Sequence, residues 1–451
     1  MVVNIKTFIM IKKSFFITSL FFFVTNLYSQ QTPPKWGFKG NYFIAVSDAD
    51  MLPSAYENGQ LGPIYGKDEI AVIPLNTQPT NYKKIGINVS NSVAGPPSVI
   101  DVTPDGRYAF IIETLSPRPG KSDKEIFSDL KLGNTLTVLD LTEPKKPKKI
   151  EIIEIPKRPL SININYDGTL LAISYHPSPN GNQKPISIHR IHNGKLIKNY
   201  FPKIPHWSKD DKLTDVLWHP RENIISLINN TKGTVQFVKV TDIENKVNLE
   251  QWGNIVSVGK FPFIGRFTKD GKHFLTNNLF WGSDVFGTWT EAPRGTIVNI
   301  TLNHFQQGEK PVHSLTSQVL VGVSPEGFAV SPNGEYVATM NMERSWLPYS
   351  DKRQTWFSSI TLIKRDPATG SMRHLSTVPY YAILPEMAVF DSSSNYLAVI
   401  SSDQYDHSLS GGALDFFKIV KDPLDNQRET IVQTRYSVPL QHGAHDLILI
   451  D

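Results

Sequence analysis

The run Val99-Ile-Asp-Val-Thr-Pro-Asp-Gly-Arg-Tyr-Ala-Phe-Ile-Ile112 decides the fold. A short alternating apolar stretch, a Pro-Asp-Gly turn and a second apolar stretch make a β-hairpin with a glycine-assisted turn. The same order returns in Ser161-Ile-Asn-Ile-Asn-Tyr-Asp-Gly-Thr-Leu-Leu-Ala-Ile173 and in Ala329-Val-Ser-Pro-Asn-Gly-Glu-Tyr-Val-Ala-Thr339. Weaker copies centre on Trp218-His-Pro-Arg-Glu222, Phe267-Thr-Lys-Asp-Gly271 and Phe390-Asp-Ser-Ser-Ser394. The equivalent turn positions are Asp105, Asp167, Arg221, Asp270, Asn333 and Ser393, at intervals of 62, 54, 49, 63 and 60 residues. Strand-rich units of that period read as propeller blades carrying loops, and their period-two alternation argues against a helical solenoid.

The two ends supply a seventh unit. Lys39-Gly-Asn-Tyr-Phe-Ile-Ala-Val46 matches Asp105-Gly-Arg-Tyr-Ala-Phe-Ile-Ile112 and so begins at the turn, with no first strand before it. Ala444-His-Asp-Leu-Ile-Leu-Ile-Asp451 matches Pro325-Glu-Gly-Phe-Ala-Val-Ser331 and stops where a turn would begin. The expectation is an all-β, seven-bladed β-propeller whose ring is closed by the C-terminal strand joining the N-terminal blade, which removes exposed sheet edges. Further strands at 68–75, 135–141, 185–191, 233–240, 295–302, 358–365 and 413–420 agree with seven blades.

Lys12 and Lys13 precede an apolar run from Phe15 to Val24 and a small residue at Ser29, the order of a secretory signal peptide. Residues 1–29 are therefore expected to be removed, with Met1 or Met10 as the start, and 30–451 to form one domain that is secreted or periplasmic and monomeric. No later segment approaches the apolar length of a membrane span. The chain has no cysteine, so disulfides and thiolate metal sites are excluded. The formal charge is +4, and without Lys6, Lys12 and Lys13 it is +1, which removes the case for nucleic acid or an anionic membrane as partner.

The long insertions all fall between second and third strands, at 49–67, 114–133, 176–184, 279–294, 342–357 and 403–412, and so open on one face. Loops placed on one side of a rigid scaffold are where function is expected. Trp281, Trp289, Trp346 and Trp356 lie in these loops, either as stacking walls for a small-molecule or carbohydrate ligand or as packing for their own loops. Aligned blades put Ser98, Leu160, Thr214, Phe263, Glu326, Glu386 and His445 at one position near the channel mouth, with His442 just upstream. Glu326, Glu386, His445 and His442 are the catalytic candidates. Converging carboxylates and imidazoles suit general acid–base work or a divalent cation, and a hydrated polar cluster is the structural alternative. A second polar ring, Ser47, Glu113, Tyr175, Asn229, Asn278, Asn341 and Ser401, ends the second strands and is expected to hydrogen-bond to channel water. Beyond it lie Asp48, Asp50, His176, Glu343, Arg344, Asp403, Asp406 and His407, with Arg344 either an anchor for a carboxylate or phosphate or the partner of Glu343 or Asp403 in a salt bridge. Trp281, Trp346, Arg344, Glu113, Asp403 and His176 are the candidate ligand contacts.

The chain contains no Gly-rich phosphate loop, nucleophile elbow, His-Glu-x-x-His or EF-hand signature. Its hairpins, period and ring closure resemble, over residues 36–451, the lactonase-like (YVTN-type) seven-bladed propellers, the superfamily of 6-phosphogluconolactonases and carboxymuconate cyclase. Such lactonases often begin the first strand with Pro-Arg-His. The corresponding pairs here are Pro97-Ser98, Pro159-Leu160, Pro262-Phe263, Pro325-Glu326 and Pro385-Glu386, without the Arg. The resemblance implies a hydrolase of lactone or cyclic ester type, with Glu326 or Glu386 as general base and a histidine to orient or protonate. A non-catalytic glycan- or protein-binding propeller and an oligosaccharide or polysaccharide lyase are the alternatives, because fold alone does not fix chemistry.

Overall fold

A computed structural model describes residues 37–51, 53, 55–120, 124–177, 184–243, 246–281, 291–303, 310–404 and 411–451. The expected leader at 1–29, and Trp289, Asp406 and His407, lie outside the described residues. From Phe38 to Asp451 the chain forms one compact unit of seven antiparallel sheets, each with at least four strands. We number the blades from the one holding the N-terminal strand. Its sheet runs, from the axis outward, Ala444–Ile450, Tyr42–Ser47, Glu69–Pro74 and Ile85–Asn88. The inner strands of blades 2 to 7 are Ile100–Val102, Pro159–Ile164, Leu213–Trp218, Pro262–Phe267, Gly327–Val330 and Ile383–Phe390. Each inner strand contacts those of the blades on both sides, which closes the ring.

Ring closure follows the expected register. The C-terminal strand pairs with the N-terminal one from Tyr42↔Ile450 to Val46↔Asp446. The seven segments expected as further strands all become the third strand of a blade. Second strands such as Tyr42–Ser47 and Leu170–Tyr175 are buried along their whole length, whereas the outer strand Lys148–Glu154 is almost entirely exposed. Middle strands covered on both faces by neighbouring blades need apolar residues at every position, which is why they read as unbroken apolar runs. Apolar layers such as Phe237, Phe274, Val298 and Ile300 fill the space between blades 4 and 5.

Polar latches join the inner strands tangentially. Asp446 of blade 1 accepts from the amides of Val99 and Ile100 of blade 2, at 2.8 and 3.3 Å. Asp101 of blade 2 accepts from Ile164 N and Asn163 Nδ2 of blade 3. Ser161 and Asn163 of blade 3 accept from Val216 N and Trp218 N of blade 4, and Asp215 accepts from Gly265 N of blade 5 at 2.9 Å. Asn277 of blade 5 donates to the carbonyls of Pro325 and Glu326 of blade 6. The acceptors satisfy backbone amides, and Asn277 satisfies backbone carbonyls, of the neighbouring blade. Asp101, Asp446 and Arg266 line a cavity of about 370 Å³ on the axis. Burial raises Asp101 and Asp215 to about 7 and Asp446 to about 6, and the Arg266 guanidinium opposes the shift in all three.

Candidate functional site

The position aligned across blades from the sequence has a common backbone geometry. In five inner strands the ladder skips at that point: His445, Leu160, Thr214, Phe263 with Ile264, and Glu386 are passed over between paired neighbours. A bulge releases a residue from the alternation and re-aims its side chain. Two residues before the aligned position the backbone turns left-handed in blades 3, 5, 6, 7 and 1, at Arg158 (φ 56°), Phe261 (61°), Ser324 (50°), Leu384 (48°) and Gly443 (68°). The carbonyls of Arg158, Phe261, Ser324 and Gly443 accept from the residue that follows the second strand, namely His176, Leu279, Met342 and Asp48. Both positions sit on the face that bears the long loops.

In blades 6, 7 and 1 this geometry gathers acids. Glu326 and Glu386 are almost completely buried. Burial raises the Glu326 carboxyl, and burial first, then Glu326, Asp48 and Asp446, raises Glu386 well above the carboxylate range. Tyr56, from the insertion at 49–67, feels Glu386, Glu326 and Asp48 and is raised with them, mainly by burial. Both Glu386 carboxyl oxygens are buried with no hydrogen-bond partner, a condition that calls for an explanation beyond packing. His445 holds Nδ1 2.8 Å from the Gly443 carbonyl. A carbonyl only accepts, so Nδ1 carries the proton and Nε2 presents a lone pair. That Nε2 is buried without a partner, and burial lowers the ring to about 4, so it is neutral.

The spacing a divalent cation requires is not met by Glu326, Glu386 and His445. Among the described residues it is met by Asp48, Asp50 and Asp68, whose ligand atoms lie within 4.8 Å of one another. These carboxylates accept from the amides of Ala49, Asn91, Val93 and Arg118, which fastens the loops of blade 1.

Blades 3, 4 and 5 build a different wall. Arg158, Lys212 and Phe261 occupy the same position in successive blades, and Leu160, Thr214 and Phe263 the bulge position two residues on. With Tyr56, His176, Trp281 and Glu326 they enclose a lobe of about 100 Å³. His176, Lys212, Phe261 and Trp281 also line an outer lobe of about 520 Å³ that reaches Lys232 and Lys260. Glu326 thus faces the pocket from the acidic side and Arg158 and Lys212 from the basic side. Arg158, Lys212 and Tyr56 were absent from the sequence candidates. The first two could have been found by stepping two residues back from the aligned positions Leu160 and Thr214, whereas Tyr56 sits in an insertion whose sequence does not repeat in other blades.

The remaining candidates lie elsewhere. His442 stacks on Tyr65 with ring centroids 4.7 Å apart, and its Nδ1 is 3.4 Å from Asp403 Oδ2 without hydrogen-bond geometry. Arg344 donates to the Ala292 carbonyl and ties its loop to that of blade 5. Trp346 is buried in an apolar cluster, while Trp281 is buried and also lines the pocket. Glu113 accepts from Thr135 of its own blade's third strand. Most of its ring behaves alike: Tyr175 bonds to Ser187, Asn278 to Thr296, and Asn341 to Ser359 and Thr361. Those bonds run outward to third strands, so these four residues pin the second strand to the third in blades 2, 3, 5 and 6.

Fold and cavity together define a seven-bladed propeller with one acidic and one basic-aromatic wall at its loop-bearing face. No protein-family model and no curated protein matches the chain. Among solved structures, the periplasmic gluconolactonase of Pseudomonas aeruginosa superposes with a TM-score of 0.59 at 13% identity, over 92% of this chain and 99% of that one. A Bacteroides fragilis protein described as a "putative 6-phosphogluconolactonase" gives 0.59 at 12%, over 93% and 100%. A functionally unknown protein from Desulfotomaculum acetoxidans gives 0.54 at 14%, over 91% and 99%. At these identities the likeness is one of fold.

Proposed function

We propose that the protein is a hydrolase of lactones or related cyclic esters, acting in the pocket that Glu326 faces. The observation that carries this reading is the pair of buried carboxyls from adjacent blades, one facing the cavity and the other with both oxygens unpartnered. Burial raises both carboxyls and Glu326 raises Glu386 further, so the two ionise one at a time and the pair can hold one proton and one negative charge. The ionised member takes a proton from water as its oxygen adds to the lactone carbonyl carbon. The protonated member gives its proton to the ring oxygen as the acyl C–O bond breaks, leaving a hydroxy acid. Neutral His445, with Nε2 free to accept, orients groups at the same rim. The P. aeruginosa neighbour acts on a gluconolactone and is periplasmic, in line with this activity and with export through the segment 1–29.

The test is a pH-stat screen of the purified protein against aliphatic, aryl-substituted and sugar lactones, with the Glu326→Gln and Glu386→Gln variants alongside. Loss of an acid–base group lowers kcat by about 10²- to 10⁴-fold. Wild-type rates in both variants would remove the carboxyl pair from the mechanism.

A binding role is favoured by a separate observation. Tyr349 and Trp356 are exposed and stacked at 5.1 Å and 17°, and Phe357 and Tyr381 are exposed beside each other at 5.8 Å. The aromatic surface suited to a glycan is therefore Tyr349, Trp356, Phe357 and Tyr381, not the buried Trp346.

A further inference from the structure

Arg158 and Lys212 are two cations set side by side at one wall of the pocket, and Glu326, the acid among the described residues lining the same lobe, pairs with neither. Neither forms an ion pair with any described residue. Arg158 Nη1 lies 3.5 Å from His176 Nδ1, and its Nε is buried without a hydrogen-bond partner. The Lys212 ammonium sits 5.8 Å from the centre of the Phe261 ring. Long basic side chains with no partner normally extend into water, where their charge is solvated. Here the backbone at Arg158 is left-handed, and the Arg158 and Lys212 side chains line a cavity instead. The electrostatics agree: burial and Arg158 lower Lys212 to about 8, while burial, Arg158 and Lys212 lower His176 to about 4. A negative charge placed between them would reverse both shifts.

The rest of the wall restricts what can carry that charge. The wall's polar groups are Tyr56, His176, Thr214 and Glu326, and Leu160, Phe261, Phe263, Trp281, Val93 and Ala94 make most of it apolar. The many hydroxyls of a sugar acid, or the several oxygens of a phosphate, would be left without partners against them. A carboxylate needs only two donors, and a guanidinium beside an ammonium supplies them.

We propose that this pocket binds an organic monoanion with an apolar body, an aryl- or alkyl-carboxylate, its carboxylate held between Arg158 and Lys212 and its body against Phe261, Phe263 and Trp281. The inference deepens the hydrolase reading on which it rests: a lactone carrying such a carboxylate reaches from the basic wall to Glu326 on the acidic one.

The test is titration calorimetry of the full chain with 3-phenylpropionate, gluconate and inorganic phosphate as probes. 3-Phenylpropionate is expected to bind at least about tenfold more tightly than gluconate or phosphate. Lys212→Met and Arg158→Met should each weaken it by about ten- to a hundredfold, the range for a lost hydrogen bond to a charged group. Lys212→Arg, which keeps the charge, should retain binding within a few-fold. The proposal is overturned if wild-type protein does not bind 3-phenylpropionate, if gluconate or phosphate binds as tightly, or if Lys212→Met and Arg158→Met melt like wild type and bind it equally well. Failure of Lys212→Arg to bind, with its melting unchanged, would also overturn it. Binding as expected in a protein that opens no lactone supports the anion site and removes the hydrolase reading. Lactone hydrolysis without binding does the reverse.

Discussion

Asp446 illustrates how one residue serves the ring. Its carboxylate takes the amides of Val99 and Ile100, so Asp446→Ala leaves two buried donors bare. We expect a loss of about 1–3 kcal/mol for each such donor left unsatisfied, read from a denaturant midpoint. Asp215 is the pH-sensing counterpart. Its folded pKa of about 7 lies above the ordinary 3.8, so the native state binds more protons between those values. Stability from this group is full below pH 4 and is lost as pH rises through 7. Asp101 and Asp446 act in the same direction, to about 7 and about 6. The melting temperature should therefore fall from pH 4.5 to pH 7.5 on this account, and Asp215→Asn should shallow that slope. A slope unchanged in the variant would assign the pH dependence elsewhere. The place of Glu386 was legible because in blades 3, 5 and 7 the bulge residue directly follows a proline, whereas His445 follows Ala444 and was placed only by the apolar run after it. Lys212 and Arg158 were not legible, since nothing in a lone basic residue tells whether it swings into solvent or is held at a cavity.

Gly327 marks how closely the elements approach. A Cβ there would overlap the carbonyl of Glu386, so the inner strands of blades 6 and 7 meet backbone to backbone beneath the two glutamates. Gly327→Ala should destabilise the protein by about 1–3 kcal/mol, as overpacking does, and lower turnover by displacing Glu386. A variant with wild-type melting and rate would show that the close approach is dispensable. Hairpins were the most legible elements, because Pro-Asp-Gly fixes both turn and register. Even the degenerate copy at Phe390-Asp-Ser-Ser-Ser394 makes the turn: Ser394 adopts φ 61° where other blades use glycine, and its Oγ accepts from Asn333 N of blade 6. Outer strands such as Lys195–Tyr200 were not legible, since they are largely exposed and carry no apolar pattern.

The closed ring makes the pocket possible, because Glu326 of blade 6 and Tyr56 of blade 1 line it together with Arg158 of blade 3, Lys212 of blade 4 and the aromatic residues of blade 5. Deleting residues 442–451 removes the inner strand of blade 1 together with His445 and Asp446. The shortened chain should melt at lower temperature and without a single cooperative transition, as an opened sheet edge implies. Cooperative melting at the wild-type temperature would contradict closure by that strand.

The central claim, that the carboxyl pair is an acid–base device, is tested most directly by the pH dependence of kcat/KM for the lactone turned over best. A pair sharing one proton predicts a bell-shaped profile whose alkaline limb lies well above the ordinary carboxylate range, since burial raises both groups and Glu326 raises Glu386 further. In Glu326→Gln that limb should vanish with most of the rate. A flat profile from pH 4 to pH 9, or an unaltered bell in Glu326→Gln, would contradict the account.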